Sequence, residues 1–189
     1  MQVYRYSGPK RIADRATDTP AGTPIRSAAD VVRWARQSGQ RPGPDGGVIA
    51  TFVVDAAGVV LVADRRSEHV ACAGRRPVRS AGEITFRCDG GSVGVAAVSN
   101  QSTGYCPEPE SWPAVAAALS AAGLEPSAGF DPACVFRRCP GCGSINVVKG
   151  GVFECGACGA ELPSAYNCQP AEAAPGTSFG EDRSSGGRQ

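Results

Sequence analysis

Read for the spacing of its apolar positions, the chain divides into segments of different period. "SAADVVRWARQSG" sets Val31, Trp34 and Ala35 on one helical face, with Ser27 placed to cap, Asp30 three residues later and Gly39 as a stop. "RPGPDGG" then breaks the chain before two β-branched runs, "VIATFVVD" and "VVLVA", joined around Asp55 to Gly58 as a hairpin. A second hairpin follows, with "EITFRC" and "SVGVAAVS" flanking Asp89, Gly90 and Gly91. "SWPAVAAALSAAG" reads as a second helix, with Ser111 as cap, Pro113 in the first turn and Gly123 as the end signal.

These elements predict an α+β fold: a small antiparallel four-stranded sheet with one or two helices in residues 27–136. Residues 1–26 are polar and read as an irregular leading segment, 137–168 as a separate metal-binding ribbon, and 169–189 as a disordered tail with almost nothing to bury. If the two hairpins belong to one antiparallel sheet, the second and fourth strands are expected to run the same way. The polar stretches that follow them, "DRRSEHVACAG" and "SNQSTGYCPEP", then leave one end of the sheet together.

Composition narrows the classes. A chain of 189 residues holds one modest core and a stapled module beside it, and 42% hydrophobic with 20% charged residues is ordinary for a globular protein. The net charge of +1 gives no global pull toward nucleic acid or membrane. "MQVYRYSGPKRIADR" lacks the apolar core of a signal peptide, and no run approaches the roughly 18 to 20 apolar residues of a membrane span. The expectation is a cytoplasmic protein that keeps off membranes. Its nine cysteines are then reduced or metal-bound rather than a disulfide framework.

"CPGCGSINVVKGGVFECGACG" holds two C-x-x-C knuckles, Cys139 with Cys142 and Cys155 with Cys158. Each knuckle brings two sulfurs to one ion, Gly143 and Gly159 let the chain bend behind them, and Lys149, Gly150 and Gly151 turn a small hairpin between them. Four thiolates close the shell of a structural Zn²⁺; rubredoxin-like iron would need the same shell, and a redox dithiol is a further alternative. Residues 139–158 resemble the zinc-ribbon family. That resemblance implies a structural Zn²⁺ and leaves function open, since such modules bind nucleic acid, bind proteins or only stiffen a small domain. Arg137, Arg138 and Lys149 form no dense basic run or aromatic ladder, so nucleic acid has weak support as a partner. Cys72, Cys88, Cys134 and Cys168 read as reduced packing residues, with Cys134 and Cys168 as competitors for the metal.

Two polar loops carry the remaining chemistry. "DRRSEHVACAG" holds the single histidine, and "SNQSTGYCPEP" crowds amide, hydroxyl, phenol and thiol groups into Ser99 to Cys106. Meeting at one mouth, they place Arg65, Arg66, Asn100, Gln101, Ser102, Thr103 and Tyr105 as binding groups for an anionic, nucleotide-like small molecule or a group on a protein partner, with Arg75, Arg76 and Arg79 as further cations. A hydrolase or transferase is the second reading, with Glu68 and His69 as acid and base and Cys106 as nucleophile. A zinc deaminase fails on order and spacing, because Glu68 directly precedes His69 and Cys106 precedes Pro107. A docking module without a small-molecule site is the third reading. In the blandest account "NQSTGY" is a turn whose side chains satisfy its own backbone.

Overall fold

A computed structural model describes residues 2–40, 42–43, 46–89 and 92–169. Its centre is an antiparallel sheet of five strands, β1 (Thr23–Ile25), β2 (Gly47–Asp55), β3 (Val60–Asp64), β4 (Val78–Asp89) and β5 (Ser92–Val98), in the order β1-β3-β2-β4-β5. The α+β class stands, but the strands number five rather than four. The extra strand, β1, lies in the stretch read as irregular, where Ile25 pairs with Val60 at the sheet edge. The same stretch also forms α1 (Lys10–Arg15) and buries Tyr4, whose backbone bridges Val78, so residues 1–26 are part of the domain.

Both sheet faces are covered, which explains the unbroken apolar run of β2. On one face α2 (Ala28–Ser38) and α4 (Trp112–Ala121) pack over Phe52, Val54, Val62, Ile84 and Phe86. On the other, α3 (His69–Cys72), Tyr4, Ala16 and Tyr105 cover Val53, Leu61 and Ala81. Ser27 caps α2 by accepting from Asp30 N at 3.3 Å, and Gly39 ends it at φ 64°. Ser111 does not cap α4: it sits in a 3₁₀ turn (Pro109–Ser111) with helical dihedrals, and its hydroxyl meets the buried Ser80 hydroxyl at 2.9 Å. Gly58 turns the first hairpin at φ 86°, while Asp55 Oδ1 accepts from Val59 N at 2.9 Å. Gly90 and Gly91 of the second hairpin, and all of the tail but Gln169, lie outside the described residues.

The pairing corrects one expectation about topology. β2 is antiparallel to both β3 and β4, so β3 and β4 run the same way and β5 runs opposite to β3. The second and fourth predicted strands are therefore antiparallel to each other. The cause is the segment between the hairpins: residues 65–77 cross one face through α3 and deliver β4 to the far side of β2. Asp64, Ala50, Ile84 and Val98 still form one row across the sheet, so the two loops begin at one height from opposite directions.

After α4 the chain enters a second, two-stranded sheet, β6 (Val135–Arg138) with β7 (Ile145–Val148), which carries the cysteine knuckles. Among the described residues no helix is long and apolar enough to cross a membrane.

Candidate metal centre

The two knuckles fold alike. Cys139 N donates to Ser144 O at 2.9 Å and Gly143 N to Cys139 O at 2.9 Å; in the second knuckle Cys155 N donates to Ala160 O and Gly159 N to Cys155 O, both at 2.8 Å. Gly143 (φ 76°) and Gly159 (φ 71°) hold the left-handed conformation that closes each turn. Lys149 and Val152 bridge around Gly150 (φ 58°) and Gly151 (φ 74°), the paired positive dihedrals of a type I′ turn. That turn brings the second knuckle back to the first.

The sulfurs of Cys139, Cys142, Cys155 and Cys158 all lie within 4.8 Å of one another. Cys139 Sγ is 3.6 Å from Cys158 Sγ, and Cys142 Sγ is 3.6 Å from Cys155 Sγ. A tetrahedron with metal–sulfur bonds of about 2.3 Å has edges of about 3.8 Å, so this spacing fits one ion at the centre. The shifts divide within the cluster: the backbone N–H of Ala157, then that of Cys158, help hold the Cys155 thiol down to about 6, and the Ser144 side chain and backbone lower Cys142, whereas at Cys158 the backbone N–H of Ala160 is outweighed by the neighbouring sulfurs, which push the thiol up to about 12. The cluster contains neither Cys134 nor Cys168.

Asn146 is a residue that pattern reading missed. Its Oδ1 accepts from Gly156 N at 3.0 Å, while its Nδ2 donates to Ser144 O at 3.0 Å and reaches Cys155 Sγ at 3.5 Å. One amide thus ties both knuckles together and touches a sulfur, the outer support that metal sites use to orient their ligands. In sequence Asn146 is only one polar position in a short strand.

The stretch from Ser99 to Pro109 is where the ribbon meets the sheet domain. Asn100 is fully buried and spends its whole amide: Nδ2 donates to Pro107 O and Cys134 O, both at 2.8 Å, and Oδ1 accepts from Cys134 N. Glu108 accepts from the buried Arg137 at 2.9 Å, and the same guanidinium donates to Ser164 O and lies 6.0 Å from the Tyr166 and Phe153 ring centroids. Desolvation raises the Glu108 carboxyl while Arg137 pulls it back down. Tyr166 donates to Cys106 O at 2.8 Å, and Arg138 to Ser7 O at 3.1 Å. Gly82 has no side chain because Ser99 O passes where one would stand: an added Cβ would lie 1.9 Å from that oxygen.

The other candidate residues divide by exposure. Ser102 is buried and accepts from Tyr105 N at 3.4 Å; Tyr105 is buried and donates to Arg76 O at 2.9 Å. Arg65, Arg66, Glu68, Gln101 and Thr103 are exposed. His69 opens α3 with Nε2 at 3.0 Å from Gly82 O, and desolvation keeps its ring neutral below the usual histidine range. Cys106 donates to Thr103 O at 3.2 Å, and the neighbouring Cys168 thiol, then burial, raise its pKa far above the ordinary thiol value. His69 and Cys106 direct their polar atoms at different partners, and the thiol is held protonated. A cavity of about 300 Å³ beside Glu68 is lined by Arg15, Thr19, Ser67 and neighbours from the N-terminal segment and α3, not by residues 99–106.

No family model, curated protein or solved structure matches this chain. The cysteine tetrad, with its metal-sized spacing, is what the chain itself offers toward a function.

Proposed function

We propose that the protein is a zinc-ribbon binding module, in which a structural Zn²⁺ held by Cys139, Cys142, Cys155 and Cys158 keeps the ribbon folded against a domain that takes an anionic group. The observation that carries this reading is the closed shell of four sulfurs within 4.8 Å. A full set of protein ligands suits a structural ion rather than one with an open position for chemistry, and thiolate donors with tetrahedral spacing suit Zn²⁺. The anionic ligand is supported by exposed arginines on either side of α3, Arg65 and Arg66 before it and Arg75 and Arg76 after it. Guanidinium forks on a rigid crossover fit phosphate. The thiol-enzyme reading gains nothing here, because the Cys106 thiol and the His69 ring have separate partners.

Two measurements test the proposal separately. Elemental analysis of the purified chain is expected to give one zinc per molecule, falling toward zero in Cys142→Ser/Cys158→Ser; one iron, or no metal, would overturn the metal assignment. Thermal unfolding of the metal-loaded chain with a nucleotide panel is expected to show a midpoint rise that Arg65→Ala/Arg66→Ala abolishes, since ligand at about 100 times its Kd adds about 2.7 kcal/mol. No rise with any nucleotide would leave a protein-docking role as the standing alternative.

A further inference from the structure

Behind the ribbon lies a second set of sulfurs that the metal centre does not use. Cys106, Cys134 and Cys168 form a buried cluster with Phe136, edged by Ile145, Val147 and Tyr166. Cys106 and Cys168 are each 0% exposed and share this one cluster. Cys106 also holds a left-handed backbone at φ 48°, uncommon for a residue with a side chain. Its amide is bonded to Ser102 O and its carbonyl to the Tyr166 hydroxyl, so its position is fixed from both sides. Cys168 sits in the strap that follows Leu162, held down by Tyr166 and by Asn167, which bonds the backbone N and O of Arg138. The two cysteines are 62 residues apart in the chain and belong to the two parts that the polar joint connects.

We propose that Cys106 and Cys168 are a disulfide-forming pair that covalently locks the ribbon strap onto the sheet domain when the protein meets a low-molecular-weight disulfide. When the strap lifts, Cys168 as thiolate attacks one sulfur of the disulfide, giving a mixed disulfide and releasing one thiolate. Cys106 then gives up its proton to solvent and attacks Cys168 sulfur, displacing the second small thiolate. The two protein thiols are oxidised and one small disulfide is reduced to two thiols. The Cys106 thiol first, then the positive charges of Arg138 and Arg137, lower the Cys168 thiol, which makes it the attacking member.

The test treats the full-length, zinc-loaded chain with oxidised glutathione, then reads intact mass, non-reducing peptide maps and zinc release to a coloured chelator. The expected result is loss of two hydrogens, a linked peptide joining Cys106 to Cys168, and zinc retained. Cys168→Ala should abolish the linked peptide, and Cys134→Ser should leave it intact; the wild-type map carries the test even if either variant folds poorly. Stable glutathione adducts without a link, links among the four ribbon cysteines with zinc lost, or no mass change would each overturn the proposal.

Discussion

The sheet domain and the ribbon are held together by different physics. Seventeen buried side chains form the main core between the sheet and helices α2 and α4, and eleven more line the opposite face. The ribbon's own cluster has three, Cys139, Cys155 and Leu162, and Cys106, Cys134, Phe136 and Cys168 add four at its joint with the sheet domain. At about 1.5 to 3 kcal/mol for each fully buried large apolar side chain, the first region can offset the entropy of ordering its chain, and the second cannot. The ribbon therefore rests on the apolar and polar contacts of its joint with the sheet domain and on the cysteine tetrad, which could hold a metal ion. Crowded polar groups in a sequence thus mark a joint as readily as they mark a mouth.

The strongest way to break this contrast is to take away the metal proposed for the tetrad. Structural zinc in small modules contributes on the order of 10 kcal/mol or more to folding. Chelation, or Cys142→Ser with Cys158→Ser, is expected to unfold residues 137–168 while the five-stranded sheet survives. Hydrogen exchange resolves the two: amides of β6 and β7 should lose protection and those of β2 and β4 should keep it. Equal loss in both would mean that the sheet domain has no independent stability.

Next in size is the joint itself. Arg137→Ala leaves the half-buried Glu108 carboxylate and Ser164 O without their donor, and removing one partner of a buried pair costs about 3 to 5 kcal/mol. Asn100→Ala strands Cys134 N, Cys134 O and Pro107 O, and each buried polar group left unpaired costs about 1 to 3 kcal/mol. Both variants should lower the midpoint of chemical unfolding, and both should weaken zinc retention against a competing chelator although neither residue touches the metal. If retention is unchanged, the ribbon folds without help from the joint and the comparison fails at that point.

How far each region was legible follows from the same difference. The sheet announces itself because its apolar, β-branched runs are local: β2 through β5, α2 with its Ser27 cap and the knuckles with their glycines are all local patterns. What escaped reading is non-local. β1 is three residues whose pairing depends on β3, and the meaning of Asn100 depends on Cys134, thirty-four positions away. Strand order escaped as well, because a polar connection between hairpins does not say that it will fold into α3 and cross a face. Asn146 and Arg137 look like surface residues in a short strand until the strap and second knuckle return over them. The chemistry of the tetrad was legible because C-x-x-C spacing is itself the geometry.

Smaller effects separate internal bonding within the second loop. Tyr105→Phe keeps the ring against Tyr6 and deletes one hydrogen bond to Arg76 O, so it should cost about 1 kcal/mol. Exposed Gln101→Ala and Thr103→Ala should lie within about 0.5 kcal/mol of the parent, as surface changes do. A cost for Gln101 comparable with that for Asn100 would show that exposure does not sort this loop as proposed.

The last test concerns pH and the sheet domain alone. Burial lowers the His69 pKa in the folded chain from 6.5, against the carbonyl of Gly82, which raises it in part. Between the folded value and 6.5 the unfolded chain binds more protons than the folded one, so stability rises with pH across that window and is lost as pH falls below about 6.5. His69→Gln keeps an amide donor for Gly82 O and removes the titration. Unfolding midpoints of the two proteins should differ in slope over that window and run parallel above it. Parallel curves throughout would mean that the ring titrates alike in both states. In that event His69 is exposed enough to exchange protons freely, and its place at the start of α3 against Gly82 O would be a surface position available for acid–base work.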